Sequence, residues 1–282
     1  MTDSSKLAGH HAFVTGGGSG IGLGAARAFI ADGATVTICG RSLDKLEAAK
    51  AELGAAAHVV AVDVADEDEL AAALDAANTV APLTIAVANA GVGGAAPITM
   101  LQRDDWERVL TTNLTGAFLT FKHAGRLLAA NGGGAMCAVS SIAGSHTHRF
   151  MTAYTVSKAG LNMLVRNAAD ELGSLGVRVN AVSPGLVETD ISTSLQQDQE
   201  VNEDYRINMP LGRRGNTADI GAAIRFLCGP ESSWITGVVM PVDGGHHLRR
   251  GPNIDPLLRP FLGDALPAIS PDIEYDNEGD PS

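Results

Sequence analysis

The sequence is short of cysteine, of aromatic side chains and of positive charge, and each shortage narrows what the chain can be. Its three cysteines, Cys39, Cys137 and Cys228, lie far apart and are odd in number. Neither a disulfide framework nor a metal-ligand spacing follows. Each stands in an apolar stretch, where a thiol serves as a small buried hydrophobe. Lysine and arginine number 20 against 32 acidic residues, a formal net charge of −12. Nucleic-acid binding needs a basic face that displaces phosphate counterions, and an anionic membrane surface repels such a chain; neither is an expected partner. No segment approaches the ~20 apolar residues that span a bilayer. The opening stretch, MTDSSKLAGHHAFVTGG, has no positive flank followed by an apolar run, so no signal peptide is read and a cytoplasmic protein is expected.

Glycine and short apolar runs are plentiful instead. A length of 282 residues suits one large α/β domain or two small ones, and 45% hydrophobic residues exclude wholesale disorder. Seven brief runs rich in Val, Ile and Ala read as buried parallel strands: Ala12–Thr15, Ala34–Cys39, His58–Asp63, Thr84–Ala88, Ala135–Ser140, Val177–Val182 and Gly237–Val242. Helical spacing marks Ile21–Asp32, Leu43–Leu53, Glu67–Asn78, Asp104–Ala130, Tyr154–Ser174 and Ala218–Leu227. The alternation predicts an α/β fold: one doubly wound, Rossmann-like parallel sheet of seven strands with helices on both faces. Residues 8–247 hold no linker and read as one domain behind a seven-residue N-terminal extension. Residues 248–282 form a tail with six prolines and three arginines against seven acids. Its last ten residues read as disordered, while Leu257–Leu266 is apolar enough to dock on the body or on a neighbouring subunit.

The first strand runs into Thr15-Gly16-Gly17-Gly18-Ser19-Gly20-Ile21-Gly22, and a helix-forming stretch follows at once. A glycine loop that opens a helix presents unpaired N–H donors and a positive dipole end, which suit a pyrophosphate. The spacing, Gly-x3-Gly-x-Gly, differs from the common dinucleotide fingerprint. After the second strand stands Arg41, where an acid would bind a ribose and an arginine can pair with a 2′-phosphate. NADP is therefore the expected cofactor, with NAD the alternative. Tyr154 and Lys158 lie four apart on a predicted helix and share a face. A neighbouring ammonium and a cationic ring lower the phenol's ordinary pKa of ~10. Ser141 closes a strand 13 residues earlier. With only three tyrosines in the chain, one placed so, downstream of a phosphate loop, carries weight.

In order, the glycine loop, Asp63-Val64, Ala88-Asn89-Ala90-Gly91, Asn113, Ser141, Tyr154 with Lys158, and Asn180-to-Gly185 ahead of Thr189 resemble the single-domain branch of the short-chain dehydrogenase/reductase family. The resemblance covers residues 8–247. It implies hydride transfer between nicotinamide C4 and a ketone or secondary alcohol, with Tyr154 as general acid/base and Ser141 holding the substrate oxygen. Lys158 would grip the nicotinamide ribose, and Asn113 would position a relay water. Gly16, Ser19, Gly20, Ile21 and Gly22 would cradle phosphate, and Asp63 and Val64 would meet adenine. Asn89, Ala90 and Gly91 would line the adenosine and ribose side. Pro184, Gly185, Val187 and Thr189 would meet the nicotinamide. The family usually has asparagine where Ala88 stands. It commonly forms homotetramers, otherwise dimers, through its two long helices, where Ala159, Gly160 and Ala168 would allow close contact.

Glu188–Pro210 is polar and poorly periodic and reads as a lid. Ala143, Met151, Leu186 and Leu195, with Ser141, are the expected substrate contacts, which suits a small or hydrophobic ketone or alcohol. His146 to Met151 would shape the pocket mouth; no catalytic metal is expected there. His10-His11 and His246-His247 read as surface residues. Carrier-protein reductases of the family have arginines at positions that by offset are Gly132 and Leu175 here, which argues against a 3-oxoacyl carrier-protein reductase. A catalytically silent NADP(H)-binding regulator would commonly lack the tyrosine or lysine. An extended-branch epimerase would need a different glycine spacing.

Overall fold

The computed structural model describes residues 6–189, 198–249 and 254–263. All seven expected strands form: β1 (His11–Thr15), β2 (Thr35–Gly40), β3 (Ala57–Ala61), β4 (Ile85–Ala88), β5 (Gly134–Val139), β6 (Val177–Pro184) and β7 (Val239–Val242). They pair in parallel in the order β3-β2-β1-β4-β5-β6-β7. The helices are α1 (Gly20–Ala31), α2 (Leu43–Leu53), α3 (Glu67–Val80), α4 (Arg103–Leu110), α5 (Gly116–Ala130), α6 (Thr152–Gly173), α7 (Gln199–Asn208), α8 (Thr217–Cys228) and α9 (Asp255–Leu262).

Strand side chains alternate between the two faces, so each strand feeds two cores. On β1, Ala12 and Val14 join Phe29 of α1 and Ile220 and Ile224 of α8. Phe13 points the other way, to Leu70 and Leu74 of α3, Leu128 of α5 and Leu161 and Val165 of α6. The chain reverses its direction of travel across the sheet between β1 and β4, which leaves a crevice at their C-terminal ends.

Three expectations need correction. Asp104–Ala130 is not one regular helix: a π-turn, Thr111–Thr115, interrupts it. Glu188–Pro210 is not all irregular, because α7 occupies its second half, capped by Asp198, which accepts from the Val201 N–H. The histidine pairs are not both at the surface. His11 is fully buried in β1, its ring nitrogens 2.9 Å from the Ala81 carbonyl and the Thr37 hydroxyl, and His246 is buried beside Tyr205. The three thiols are buried, as expected. Leu7 is buried too, its N–H bonded to the Asp32 carbonyl, so residues 6 and 7 already belong to the body. The last ten residues and Leu195 lie outside the described residues.

Candidate active site

The crevice is a cleft of about 720 Å³ that runs from the glycine loop to α9. At one end, the loop is tied to β4 by two side chains. The Thr15 hydroxyl receives the Asn89 and Ala90 N–H groups at 2.9 and 3.0 Å and donates to the Val87 carbonyl. Asn89 in turn donates from Nδ2 to the carbonyls of Thr15 and Gly16 at 2.8 and 3.1 Å. Two glycines are dictated by these approaches. Gly16 has φ +63°, and a Cβ on Gly22 would lie 2.4 Å from the Gly16 carbonyl oxygen. The tie explains why Thr15, which sequence reasoning treated only as part of the loop, is a positioning residue.

Midway along the cleft stand Ser141, Tyr154 and Lys158. Ser141 follows β5 and opens a short 3₁₀ turn, its oxygen accepting the Ala143 N–H at 3.2 Å. Behind it, Ser140 donates to Asn162 at 2.5 Å, and Asn162 donates to the Gly144 carbonyl, pinning that turn to α6. The Ser141 hydroxyl stands beside the Tyr154 phenol in the cleft wall. Burial raises the phenol's pKa above its ordinary value, and the Ser141 contact partly offsets this. The lowering expected from Lys158 is thus not what governs the phenol here. Lys158 is itself buried, which brings its ammonium down to about 8. It donates to the Val139 carbonyl at 2.7 Å, with Nζ 5.6 Å from the Tyr154 ring centre.

Asn113 sits in the π-turn, fully buried. Its Oδ1 accepts the Val92 N–H at 2.8 Å, while Nδ2 donates to the Val92 carbonyl and the Ser157 hydroxyl. With its side chain so engaged, any part in a proton path falls to its main chain.

At the far end the walls come from the 146–151 loop, α7 and α9. Phe150 is the one non-glycine described residue with positive φ, 67°. This sparsely populated backbone is held by its carbonyl, which accepts the Ala96 N–H, and by its ring's place beside Leu186 and Val201. His148 lines the cleft, and burial lowers its pKa. Its Nδ1 donates to the His146 carbonyl at 3.2 Å, which leaves Nε2 as an acceptor. Tyr205 of α7 also lines the cleft, its phenol made less acidic by burial and by nearby Tyr154. The signal for α7 was available: Val201, Tyr205 and Met209 recur at helical spacing behind Asp198.

A family model described as enoyl-(acyl carrier protein) reductase matches residues 16–247. The chain belongs to the short-chain dehydrogenase/reductase family. It is 39% identical over 247 residues to galactitol 2-dehydrogenase (L-tagatose-forming) of Cereibacter sphaeroides, covering 86% of this chain and 96% of that one. Cis-4-hydroxycyclohexanecarboxylate dehydrogenase of Sinomonas cyclohexanicum is 38% identical over 239 residues, 83% and 95% of the respective chains. A solved short-chain dehydrogenase/reductase from Mycobacterium ulcerans superposes with a TM-score of 0.88 at 39% identity, covering 92% of this chain and 97% of its own.

Dehydrogenases of this family use NAD(P), and the site suits it. Ser19 caps α1 without a side-chain hydrogen bond, and the first turn holds no carboxylate. The leading amides of this short-chain dehydrogenase/reductase are therefore free of a competing anion where Gly16, Ser19, Gly20 and Ile21 line the cleft. Asn89, Ala90, Gly91, Pro184, Gly185, Val187 and Thr189 line it as well. Gly22, Arg41, Asp63, Val64 and Asn113 do not. Arg41 is exposed at the end of β2, Asp63 accepts the Ala65 N–H, and Val64 packs beneath Gly116.

Of the expected substrate contacts, Ser141, Met151 and Leu186 line the cleft. Ala143 does not: it is buried in the turn that supports Ser141. Gly132 and Leu175 precede β5 and β6, at the opposite edge of the sheet, roughly 20 Å from Ser141 at ~3.3 Å per strand residue. Their identity says nothing about this subunit's cleft. Gly160 faces Leu114 and Ala168 packs on the core, so neither is reserved for a partner. Among the described residues no three His, Cys, Asp or Glu side chains gather to hold a metal, and no helix is long and apolar enough to cross a membrane.

Proposed function

We propose that this enzyme is an NADP(H)-dependent reductase and dehydrogenase of an apolar ketone and its secondary alcohol, with Tyr154 as the proton donor and acceptor. The observation that carries the reading is the hydroxyl pair: Ser141 and Tyr154 stand beside each other at the wall of the cleft that the phosphate loop opens. A carbonyl oxygen between these two hydroxyls receives hydrogen bonds from both, and the charge that develops on it is stabilised where it forms. When bound, the nicotinamide cofactor supplies or accepts the hydride. Lys158 would hold the nicotinamide ribose, and its charge would favour the phenolate. The first-turn amides of α1 would hold the pyrophosphate, with Asp63 and Val64 toward the adenine. Reduction uses the protonated phenol and oxidation the phenolate, so the oxidation rate rises with pH and the reduction rate falls.

NADP is favoured over NAD because no carboxylate follows β2, where exposed Arg41 stands. Phe118 of α5 and Val156 and Met163 of α6 stand exposed, as contact faces of a homotetramer would. Three buried, unpaired thiols suit the reducing cytoplasm.

Replacing Tyr154 with Phe removes the transferable proton and little else. Turnover of a ketone panel with NADPH should fall about 10²- to 10⁴-fold, while NADPH binding, followed by its fluorescence, is retained. Near-normal turnover by this variant would overturn the mechanism.

A further inference from the structure

We infer that α9 is the specificity element of this reaction: it walls the substrate end of the cleft with hydrocarbon and so selects an apolar ketone or alcohol over a polyol. The inference rests on the function proposed above and names the substrate class of that site. After β7 the chain turns back, and α9 lays Ile254, Leu257, Leu258 and Leu262 against Phe150, Leu186, Val201, Tyr205 and Met209. Four side chains of this segment line the cleft, Ile254, Leu257, Leu258 and Phe261, and all four are apolar.

Phe261 is 84% exposed while it lines the cleft, so an apolar guest would shield a ring that otherwise faces water. A hydroxyl-rich guest would gain nothing from this wall and would leave hydroxyls without partners, which a binding site penalises. Among the described residues the polar side chains near this wall are few: Ser141 and Tyr154 are committed to the reacting oxygen, which leaves His148 Nε2 and the Tyr205 hydroxyl.

The wall lies beyond the stretch that the family model matches. The family model ends at residue 247, whereas α9 begins at Asp255. Pro256 and Pro260 lie within it, and an internal proline deletes one backbone hydrogen bond. So short a helix stands by what it packs against, which here is the cleft's own rim.

The test compares trans-1-decalone, a hydrocarbon-bodied ketone, with fructose, a polyhydroxy ketone, on the full-length enzyme with NADPH. The wild type should show kcat/KM for decalone at least about tenfold above that for fructose. Leu258→Gln and Phe261→Ala should each raise the decalone KM about tenfold with little change in kcat, and Leu258→Met should restore it. Phe261 is so exposed that its loss cannot be mistaken for misfolding, and an unchanged NADPH dissociation constant checks this. A decalone KM indifferent to both variants while turnover still depends on Tyr154 overturns the inference alone; a preference for fructose overturns it together with the apolar substrate class proposed above, and leaves the Tyr154 chemistry standing. No turnover of any ketone overturns the proposed function and this inference with it.

Discussion

Lys158 and Arg41 are both cations, but their surroundings give them opposite tasks. Lys158 is buried, tied to one carbonyl and brought down to about 8; a charge so poorly solvated is poised to answer a partner brought close to it. Arg41 stands in water and can act only on what arrives at the end of β2. Arg41→Asp should therefore weaken NADPH binding by about 10- to 100-fold, the scale of a lost charge-assisted hydrogen bond, and strengthen NADH binding. Titration of both cofactors checks this, and unchanged preference would clear Arg41 of the role. Ser141, Tyr154 and Lys158 were readable from sequence because covalent spacing fixes which side chains share a helix face. Ala143 was misjudged because a 3₁₀ turn folds it under its neighbour, and His11 because adjacency in sequence says nothing about which of two histidines enters a strand.

Helices α1 and α8 meet backbone to backbone. A Cβ on Gly24 would lie 2.5 Å from the Thr217 carbonyl oxygen, and one on Gly221 would lie 2.5 Å from that of Gly24. Gly221→Ala must push the helices apart, an overpacking cost of about 1–3 kcal/mol. Because α1 carries the phosphate loop, NADPH affinity should fall together with the melting temperature; a variant with wild-type values for both would show that the crossing yields freely. The seven strands were legible because a strand buried on both faces is a short unbroken apolar run. The π-turn was not, since one extra residue in a helix leaves the apolar pattern nearly intact and is fixed by Asn113 reaching Val92. For α7, acids and amides on its outer face hid a three-residue apolar stripe whose partners lie on Phe150, Leu186 and α9.

Across the whole molecule, an ion network closes the N-terminal segment onto α1 and α8. Arg225 pairs with Asp32 and with Glu231, and Lys6 reaches Glu231 at 2.8 Å. Lys6 and Arg225 together pull the Glu231 carboxyl from 4.5 down to about 2. Its folded value is depressed, so its stabilisation is complete above pH 4.5 and is lost as pH falls toward 2. Glu231→Gln should lower the melting temperature at pH 7 by about 2–4 °C, the equivalent of ~1 kcal/mol. The gap from wild type should close in melts at pH 4, 3 and 2. An equal gap at every pH would mean that packing, not charge, is at stake.

Since every strand of the sheet points the same way, the chemistry gathers at one rim and the other is idle. Ala55, just before β3, and Leu175, just before β6, stand exposed on that idle rim. All three native thiols are hidden, so a cysteine grafted at either place would be the sole reactive anchor among the described residues. A molecule immobilised there on a bead or an electrode would keep its open mouth turned toward the bulk liquid.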